Sequence, residues 1–586
     1  MNKRRFRTTM KWYTMDLHLH TPASSDYQQP EVSYLKILQQ AETRDLDVIA
    51  FTDHNTVAGY RRMQEEIQQL EMLKDLDRLL PEEKSRLNEY HRLIKRILVL
   101  PGFEFTATFG FHILAIFSPD TPVREIEHIL LDLNIPADQL DQGAAAVGAS
   151  ADVLAAYEKI RAAGGLAIAA HANSTNGVAM RGFRFGGQTK IAYTQDKNLS
   201  ALEVTDLDRK GRHSTSAFFS GSKPEYPRRM HCIQGSDAHR LDGDPQRHKN
   251  LGVGDRSTDV RLPEVSFHAL VALFDGNDFA RTRPHRTKTE PAFDFIQAAV
   301  DDGANIVQDF HESMTVRGGK LYAIIADVCA FANTNGGTLY IGISADQRKK
   351  STDSKSLKQQ DIDRLVKEIS DRISPPLTCN IDLQKFKDKS IIRILIPVGD
   401  DPPYAVDESK IYLRTEAETG MAVRDEIVEM VMRGQRDRMV LKAPTVPDVV
   451  MAKHSETEIE SAPSVIVAPR TGVEIVAVEE RQGVPYYTVR DLRNGNMVKN
   501  VTKKSARHLW QYALTQHKKL TDKPKDNGIK WQGDLGFIKR QNRGNYSRYD
   551  LVQRDADGNQ RYYFGVTDDG IHGAWKKLVG IDEDIS

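Results

Sequence analysis

Cysteine is scarce in this chain: only Cys232, Cys329 and Cys379 occur, an odd number without CxxC spacing. This pattern indicates neither a disulfide framework nor a thiolate zinc site, and it fits a reducing, cytoplasmic location. Long apolar runs are also missing, since no stretch reaches the roughly 18 residues of a membrane span. The basic start, MNKRRFRTTMKWYTMDLHLH, has no apolar segment after it, so we predict no secretory signal and no membrane span.

An excess of charge of either sign is absent as well, because 81 basic residues face 81 acidic ones. Net neutrality excludes neither nucleic-acid nor protein partners, since local patches steer binding. The 586 residues exceed a single hydrophobic core, and roughly 100 to 200 residues per domain predict two to four domains. Whether the chain forms a homo-oligomer stays open.

Seven short apolar runs lie between residues 12 and 240, and we expect each to be a strand followed at once by polar or ligand-type residues. Several are separated by segments with helical spacing. Strands alternating with helices predict an α/β domain with a parallel, barrel-like sheet over residues 1–290. In such barrels the chemistry lies at the C-terminal ends of the strands. The runs are WYTMDLHLH, LDVIAFTDH, ILVLPGFEF, FHILAIF, GLAIAAHA, ALEVTD and HCIQGSDAH.

The stretch from about residue 60 to 98 interrupts this alternation. Met63, Ile67 and Leu70 have helical spacing, and Pro81 is typical of the start of a second helix. We predict a helical hairpin inserted between the second and third strands. A structural cover or dimer contact is favoured over a substrate lid.

Metal-ligand residue types follow these runs. His18 and His20, like Asp237 and His239, are i, i+2 pairs, which in a strand point to the same face roughly 6 to 7 Å apart. Each pair can therefore bind neighbouring metal ions. Six histidines and three carboxylates make nine candidate ligands: His18, His20, Asp26, His54, Glu104, His112, His171, Asp237 and His239.

The segments DLHLHTPASSD, FTDHN, GFEF, AAHAN and GSDAH resemble the motifs of the PHP (polymerase and histidinol phosphatase) superfamily, over about residues 14–290. The resemblance implies a distorted (β/α)7 barrel that binds two or three divalent ions. Asp26 departs from the histidine that the family often has at its position. By motif match, His18, His20 and Asp237 hold the first ion, Glu104 bridges to a second on His112 and His171, and Asp26, His54 and His239 hold the third.

A mixed imidazole and carboxylate shell favours zinc, manganese or iron over magnesium or calcium. Closely spaced divalent ions neutralise a phosphoryl group and lower the pKa of a bound water. The nucleophile is then a metal-bound hydroxide, and no catalytic side chain separate from the ligands is expected. Arg240, directly after GSDAH, is a candidate for binding a substrate phosphate, although a surface ion pair is the commoner role of a single arginine.

Residues 295–437 show a different pattern, with an amphipathic helix, KLYAIIADVCAFANTNGG, followed by the strand TLYIGI and later KIYLRTEAETG. This part resembles the Schlafen AlbA_2 type of domain, a smaller α/β domain. Some members of that group are RNases with a Glu-x-Lys arrangement before the helix. Here Glu312 is present, but Arg317 and Gly318 stand where a second acid is expected, so nucleic-acid binding or a structural role is favoured over a second nuclease centre. The matching residues are Phe331, Ala332, Asn333, Thr334, Asn335, Gly336, Gly337, Gly342, Tyr412 and Arg414.

The remaining segments carry weaker signals. The basic run of Arg348, Lys349, Lys350 and Lys355 is either a phosphate contact or a solvated loop. Residues 438–470 are rich in Pro, Ser, Thr and Glu and predict a linker. Residues 471–586 predict a basic, aromatic, β-rich C-terminal domain. Its aromatic residues either stack on bases or form the core of the domain.

The leading functional hypothesis is a metal-dependent phosphoesterase acting on nucleic acid or nucleotides, with the later domains holding the substrate. Two alternatives stay open. One is a small-molecule phosphomonoesterase of the histidinol phosphatase kind. The other is a nucleic-acid-binding regulator with an inactive barrel, which the complete set of nine ligands disfavours.

Overall fold

The structure is a computed structural model. It describes residues 10–145, 151–180, 187–209, 214–247, 250–286, 291, 293–344, 356–440 and 467–580, the last range without 482, 494, 496, 504, 505, 507, 523–527, 544, 545, 556 and 557. The basic run at residues 348–355 and most of the predicted linker lie outside these ranges. The chain divides into two compact units, Met1–Ser220 with Arg228–Phe295, and Gly221–Pro227 with Ile296–Ser586.

The first unit is built on a nine-stranded sheet. Its order is β7-β6-β5-β4-β3-β2-β1-β8-β9, and the two end strands contact each other, so the sheet curls into a nearly closed barrel. The predicted α/β fold with a barrel-like sheet is confirmed. The strands are β1 (Lys11–Leu19), β2 (Val48–Phe51), β3 (Leu98–Thr106), β4 (His112–Ile116), β5 (Leu166–Ala169), β6 (Ala201–Glu203), β7 (Cys232–Ile233), β8 (Thr258–Leu262) and β9 (Thr282–Pro284).

All seven predicted strands are present, but their directions are not all parallel. Strand β4 runs antiparallel to both β3 and β5, and the additional strands β8 and β9 are antiparallel to their neighbours. Only residues 107–111 connect β3 to β4, which is too short for the dozen or more residues of a parallel crossover. His112 therefore begins its strand, instead of following it as predicted, yet lies at the same edge of the barrel as the C-terminal ends of its neighbours.

Helices cover the barrel, and the longer ones bury an apolar face. In the predicted helical hairpin, Pro81 opens α3, and Leu87, Tyr90 and Leu93 are its buried residues. This hairpin is the crossover from β2 to the parallel strand β3. The helices are α1 (Tyr34–Thr43), α2 (Ala58–Asp75), α3 (Pro81–Arg96), α4 (Val123–Asp132), α5 (Val153–Ala162), α6 (Gly187–Gln195), α7 (Thr215–Phe218) and α8 (Phe267–Phe274).

The second unit begins with two four-stranded sheets, β10-β11-β14-β13 and β12-β15-β16-β17. Helix α10 is buried along most of its length and forms a core with β11, β14 and α11. The elements are α9 (Phe295–Asp302), β10 (Gln308–His311), α10 (Lys320–Asn333), β11 (Gly337–Ile341), α11 (Gln359–Arg372), β12 (Ile373–Ser374), β13 (Asn380–Phe386), β14 (Lys389–Ile396), β15 (Ala405–Val406), β16 (Lys410–Thr415), β17 (Glu418–Met421) and α12 (Arg424–Val440).

The C-terminal part of the same unit is a seven-stranded sheet of order β20-β19-β18-β24-β23-β22-β21. Trp510, Tyr549, Tyr563 and Trp575 are each at most 1% exposed and belong to its two cores. These aromatic residues form a core, which was one of the two predicted roles. The elements are β18 (Val473–Arg481), β19 (Val484–Asp491), β20 (Met497–Val501), α13 (His508–Asp522), β21 (Lys530–Gln532), β22 (Leu535–Arg543), β23 (Tyr546–Arg554), β24 (Gln560–Thr567) and α14 (Ala574–Val579). Among the described residues, none of the helices is both long and apolar enough to span a membrane.

Candidate metal centre

The nine predicted ligands converge at one edge of the barrel. His18 and His20 lie at the end of β1, and His54 and His171 follow β2 and β5. Glu104 lies in β3 and forms a parallel bridge with His54. Since parallel strands end at one edge of the sheet and β4 starts there, side chains from distant parts of the chain meet.

The first group of ligands consists of His18, His20 and Asp237. The Nε2 atoms of the two histidines are 3.3 Å apart, and they lie 3.3 and 3.4 Å from Oδ1 of Asp237. Glu104 closes the group, with its oxygens 3.4 and 3.5 Å from the same two nitrogens. The nitrogen and oxygen atoms of these four side chains therefore face a common centre.

The second group is Glu104, His112 and His171. Oε1 of Glu104 is 2.8 Å from Nδ1 of His112 and 3.2 Å from Nε2 of His171. The carboxylate of Glu104 thus faces the first group and the second at once, which is the arrangement of a bridging ligand.

The third group lies on the other side of Glu104, whose Oε2 is 2.8 Å from Nδ1 of His54. Nε2 of His54 and Nε2 of His239 are 3.4 Å apart, and each is 3.3 Å from Oδ2 of Asp26. Asp26 is half exposed, with 52% of its side chain accessible. His20 also belongs to this group, since its ring stacks on that of His239 at 3.8 Å.

The donor chemistry of these groups fits divalent cations. Nδ1 of His18 donates to Glu203, and Nδ1 of His239 to the carbonyl of Asp237. When such a ring is neutral, its Nε2 carries a lone pair, and here that atom faces carboxylate oxygens and other Nε2 atoms. Nδ1 of His54 and Oε2 of Glu104 are both buried, and they face each other at 2.8 Å. Imidazole nitrogens and carboxylate oxygens that converge in this way form a donor set that suits a divalent cation.

The protein environment keeps the carboxylates ionised. Burial alone would raise the pKa of Glu104, but the imidazoles of His112, His18 and His54 hold it well below its usual value. Burial opposes protonation of His54, yet the carboxylates of Glu104 and Asp26 raise its pKa to about 10. The carboxylates are therefore ionised, as ligands of a cation must be.

Two of the candidate ligands have a strained backbone conformation. His171 has φ of 26° and Asp237 has φ of 54°, both in the left-handed region. Residues in that region cost about 1–3 kcal/mol each and persist where the surroundings hold them. The backbone N–H of His171 donates to Oε2 of Glu203 at 2.8 Å, and that of Asp237 to the carbonyl of His18 at 3.0 Å. These bonds secure the two ligands in position.

Three buried residues that orient the ligands were not predicted. Oε2 of Glu203 accepts from Nδ1 of His18 at 2.9 Å. Nδ1 of His20 is 2.9 Å from Oγ of Ser24, which donates to Oδ1 of Asp53 at 2.7 Å. Each arrangement leaves Nε2 of its histidine facing the other candidate ligands, as hydrogen-bond partners of metal-binding histidines do. Glu203 is the third residue of the predicted run ALEVTD and the last residue of β6, so an acid within an apolar run was the available signal.

Arg240, predicted to meet a substrate phosphate, lies in a local ion pair. Its Nη1 is 3.1 Å from Oδ2 of Asp244 and donates to Oε1 of Gln28 at 3.2 Å. Binding of a phosphate by Arg240 would require its ion pair with Asp244 to break.

In the second unit, two of the matched motif residues, Asn333 and Arg414, make structural contacts. Asn333 is 1% exposed and binds three backbone groups, the N–H and carbonyl of Tyr404 and the carbonyl of Tyr412. The guanidinium of Arg414 is 2.6 Å from Oδ2 of Asp309 and donates to the carbonyl of Asn305. Glu312 lies exposed after β10. These contacts fit the predicted structural role of this part.

Residues 306–422 match the family model described as Schlafen, AlbA_2. The resemblance predicted for residues 295–437 is therefore confirmed over that segment. No curated protein matches the sequence significantly.

Several solved structures are similar to part of the chain. The lesion-specific endonuclease PfuEndoQ from Pyrococcus furiosus is 14% identical with a TM-score of 0.31, over 47% of this chain and 58% of that protein. Endonuclease Q bound to a 27-mer duplex with an abasic lesion is 15% identical with a TM-score of 0.29, over 45% and 57%. A protein from Bifidobacterium adolescentis described as a metal-dependent phosphoesterase is 16% identical with a TM-score of 0.27, over 46% and 98%. This chain thus spans less than two thirds of the two endonucleases. With TM-scores of 0.27 to 0.31, the similarity carries no argument about function.

Proposed function

We propose that the barrel is a metal-dependent phosphoesterase that hydrolyses phosphate esters of nucleic acid or nucleotides. The observation that carries this proposal is the convergence of buried acceptor atoms on the two oxygens of Glu104. His18 and His20 approach one side of this carboxylate, and His54 and His112 approach others. A single carboxylate shared by three groups of ligands supports two or three ions at short separation.

The protein's contribution is to fix these ligands and to keep bulk water away from them. His18, His20 and Glu104 are fully buried, while Asp237 and Asp26 retain partial exposure. A substrate phosphate therefore approaches from the side of the two aspartates. Closely spaced divalent ions, when bound there, neutralise the phosphoryl charge and activate water for in-line attack.

The AlbA_2 region supports a nucleic-acid or nucleotide substrate, because that group of domains includes RNases. A small-molecule phosphatase and an inactive, nucleic-acid-binding regulator are the two alternative functions, and the test below distinguishes them.

The test uses the purified full chain. Bound metal is quantified, and hydrolysis of single-stranded RNA, single-stranded DNA, mononucleotides and small phosphomonoesters is followed with Mn²⁺ or Zn²⁺. Asp237→Asn and His20→Ala remove ligands, and His91→Ala, a surface histidine paired with Glu71, is the matched control. We expect at least two ions per chain and a loss of activity above about 100-fold in both ligand variants, since even outer-shell changes cost 10–100-fold.

Full metal content and full activity in both ligand variants would contradict the assignment of the site. Release of phosphate from small monoesters without cleavage of polynucleotide would select the small-molecule phosphatase. Metal binding without any hydrolysis would select the inactive regulator.

A further inference from the structure

The turn between β3 and β4 exposes a phenylalanine in an unusual backbone conformation. Phe109 has φ of 65° and is 71% exposed. A bulky side chain in the left-handed region is a genuine outlier, whereas Asn, Asp and His adopt it more readily. Among the described non-glycine residues with positive φ, Phe109 alone has an apolar side chain.

Hydrogen bonds hold this turn in place. The N–H of Ala107 donates to the carbonyl of Phe111 at 2.7 Å, and that of Gly110 donates to the carbonyl of Ala107 at 3.0 Å. The N–H of Thr108 donates to the carbonyl of Ala151 at 3.1 Å. Phe111 is buried, unlike its neighbour Phe109. The position of Phe109 is therefore set by a closed turn.

The turn connects two ligands of the metal centre. Glu104 precedes Phe109 by five residues and His112 follows it by three. A chain of three residues spans at most about 11 Å, so the backbone of Phe109 lies within that distance of the backbone of His112. The two side chains meet at the centre, where Oε1 of Glu104 is 2.8 Å from Nδ1 of His112.

Exposure of a single apolar residue is ordinary in itself. Met72 is 63% exposed, for example, but lies within the regular helix α2. Phe109 differs in combining exposure, a strained backbone and a place between two ligands. Strained residues gather at ligand-binding sites, where the surrounding structure maintains them.

We propose that Phe109 is a specificity residue on which a nucleobase stacks while the adjoining phosphate occupies the metal centre. The phenyl ring offers no hydrogen bond, so it recognises the flat face that every base presents. Base faces are accessible in single-stranded or splayed nucleotides and are covered in a regular duplex. The inference rests on the proposed function and narrows its substrate to polynucleotides with unstacked bases.

The test compares an oligothymidylate with an oligomer of the same length that carries abasic sites. Binding is measured by fluorescence anisotropy with chelator present, and kcat/KM with Mn²⁺. Phe109→Gly removes the ring and relieves the positive φ, Phe109→Trp retains a stacking surface, and Met72→Ala is the matched control for an exposed apolar residue. We expect Phe109→Gly to bind the base-bearing oligomer about ten-fold more weakly, with unchanged affinity for the abasic one and unchanged metal content. Phe109→Trp should bind like the parent protein.

Equal affinity of the parent and Phe109→Gly for oligothymidylate would overturn the inference, as would an equal loss on both oligomers. Absence of oligomer binding by the parent, together with an unchanged kcat/KM of Phe109→Gly with Mn²⁺, would overturn it too. Because binding is measured without metal, a base-dependent effect of Phe109 would still support the inference if Asp237→Asn disproved the hydrolytic function.

Discussion

Oε2 of Glu203 lies 2.9 Å from Nδ1 of His18, and both side chains are almost completely buried. The same oxygen accepts the backbone N–H of His171, a ligand of a different group with strained φ. One carboxylate outside the ligand set thus orients two ligands. Burial would raise the pKa of Glu203, but His18 outweighs it and keeps the carboxyl ionised.

We predict that Glu203→Ala weakens metal binding by about 10–100-fold, the usual effect of losing an outer-shell partner. Without this acceptor, His18 is free to change tautomer, and His171 loses the bond that secures its backbone. Calorimetric titration with Zn²⁺ or Mn²⁺ and metal analysis after dialysis measure the effect. Glu71→Ala, which removes the exposed partner of His91 at 3.0 Å, is the control and should bind metal normally. Unchanged affinity in Glu203→Ala would refute the orienting role.

Sequence alone identified the convergent residues because ligand-type side chains follow apolar runs, and this pattern is local. The direction of β4 was missed, although the five residues between Thr106 and His112 exclude a parallel crossover. Glu203 and Asp53 could not be singled out, because their role depends on contacts across about 185 and 29 positions, to His18 and Ser24. An acid at the end of a strand has many uses, and three-dimensional packing decides among them.

Asn333 is a motif residue whose type gave no indication of its role. Its amide binds three backbone groups, at 2.7 to 3.0 Å, within the second unit. We predict that Asn333→Ala destabilises this unit by roughly 3 kcal/mol, because buried backbone groups lose their partners. Chemical denaturation of the full chain measures the loss. Asn335→Ala, in the same motif but partly exposed, should change stability far less, and metal content should be normal in both. Equal losses in the two variants would contradict this account.

Metal removal should destabilise the barrel. The ligand groups place ionised carboxylates and lone pairs within 3.5 Å of one another, and bound ions relieve this repulsion. At metal concentrations near 100 times Kd, binding stabilises the folded state by about 2.7 kcal/mol per site. We therefore expect chelation to lower the thermal midpoint of the parent protein. Asp237→Asn, with an incomplete first group, should show a smaller shift. A midpoint that does not respond to chelation would argue against resident ions.

The barrel also contains a buried histidine remote from the ligands. His231 is 3% exposed, lies at ring contact with Phe274 and Phe279, and its Nε2 is 2.9 Å from the carbonyl of Gly276. Burial lowers its pKa to about 4, with a smaller contribution in the same direction from Arg229. The folded state therefore keeps this ring neutral at pH values where the unfolded chain protonates it.

This difference predicts a pH dependence of stability. As the pH falls through 6.5, the unfolded state binds a proton at His231 before the folded state does, so the free energy of unfolding decreases until about pH 4. The contribution is present in full above pH 6.5 and amounts to roughly 3 kcal/mol. His231→Gln keeps a donor but does not titrate, so its stability should fall less between pH 6.5 and 4. Thermal midpoints of the chelated proteins, compared across this range, measure the difference. Parallel pH profiles of the parent and the variant would show that His231 titrates alike in both states.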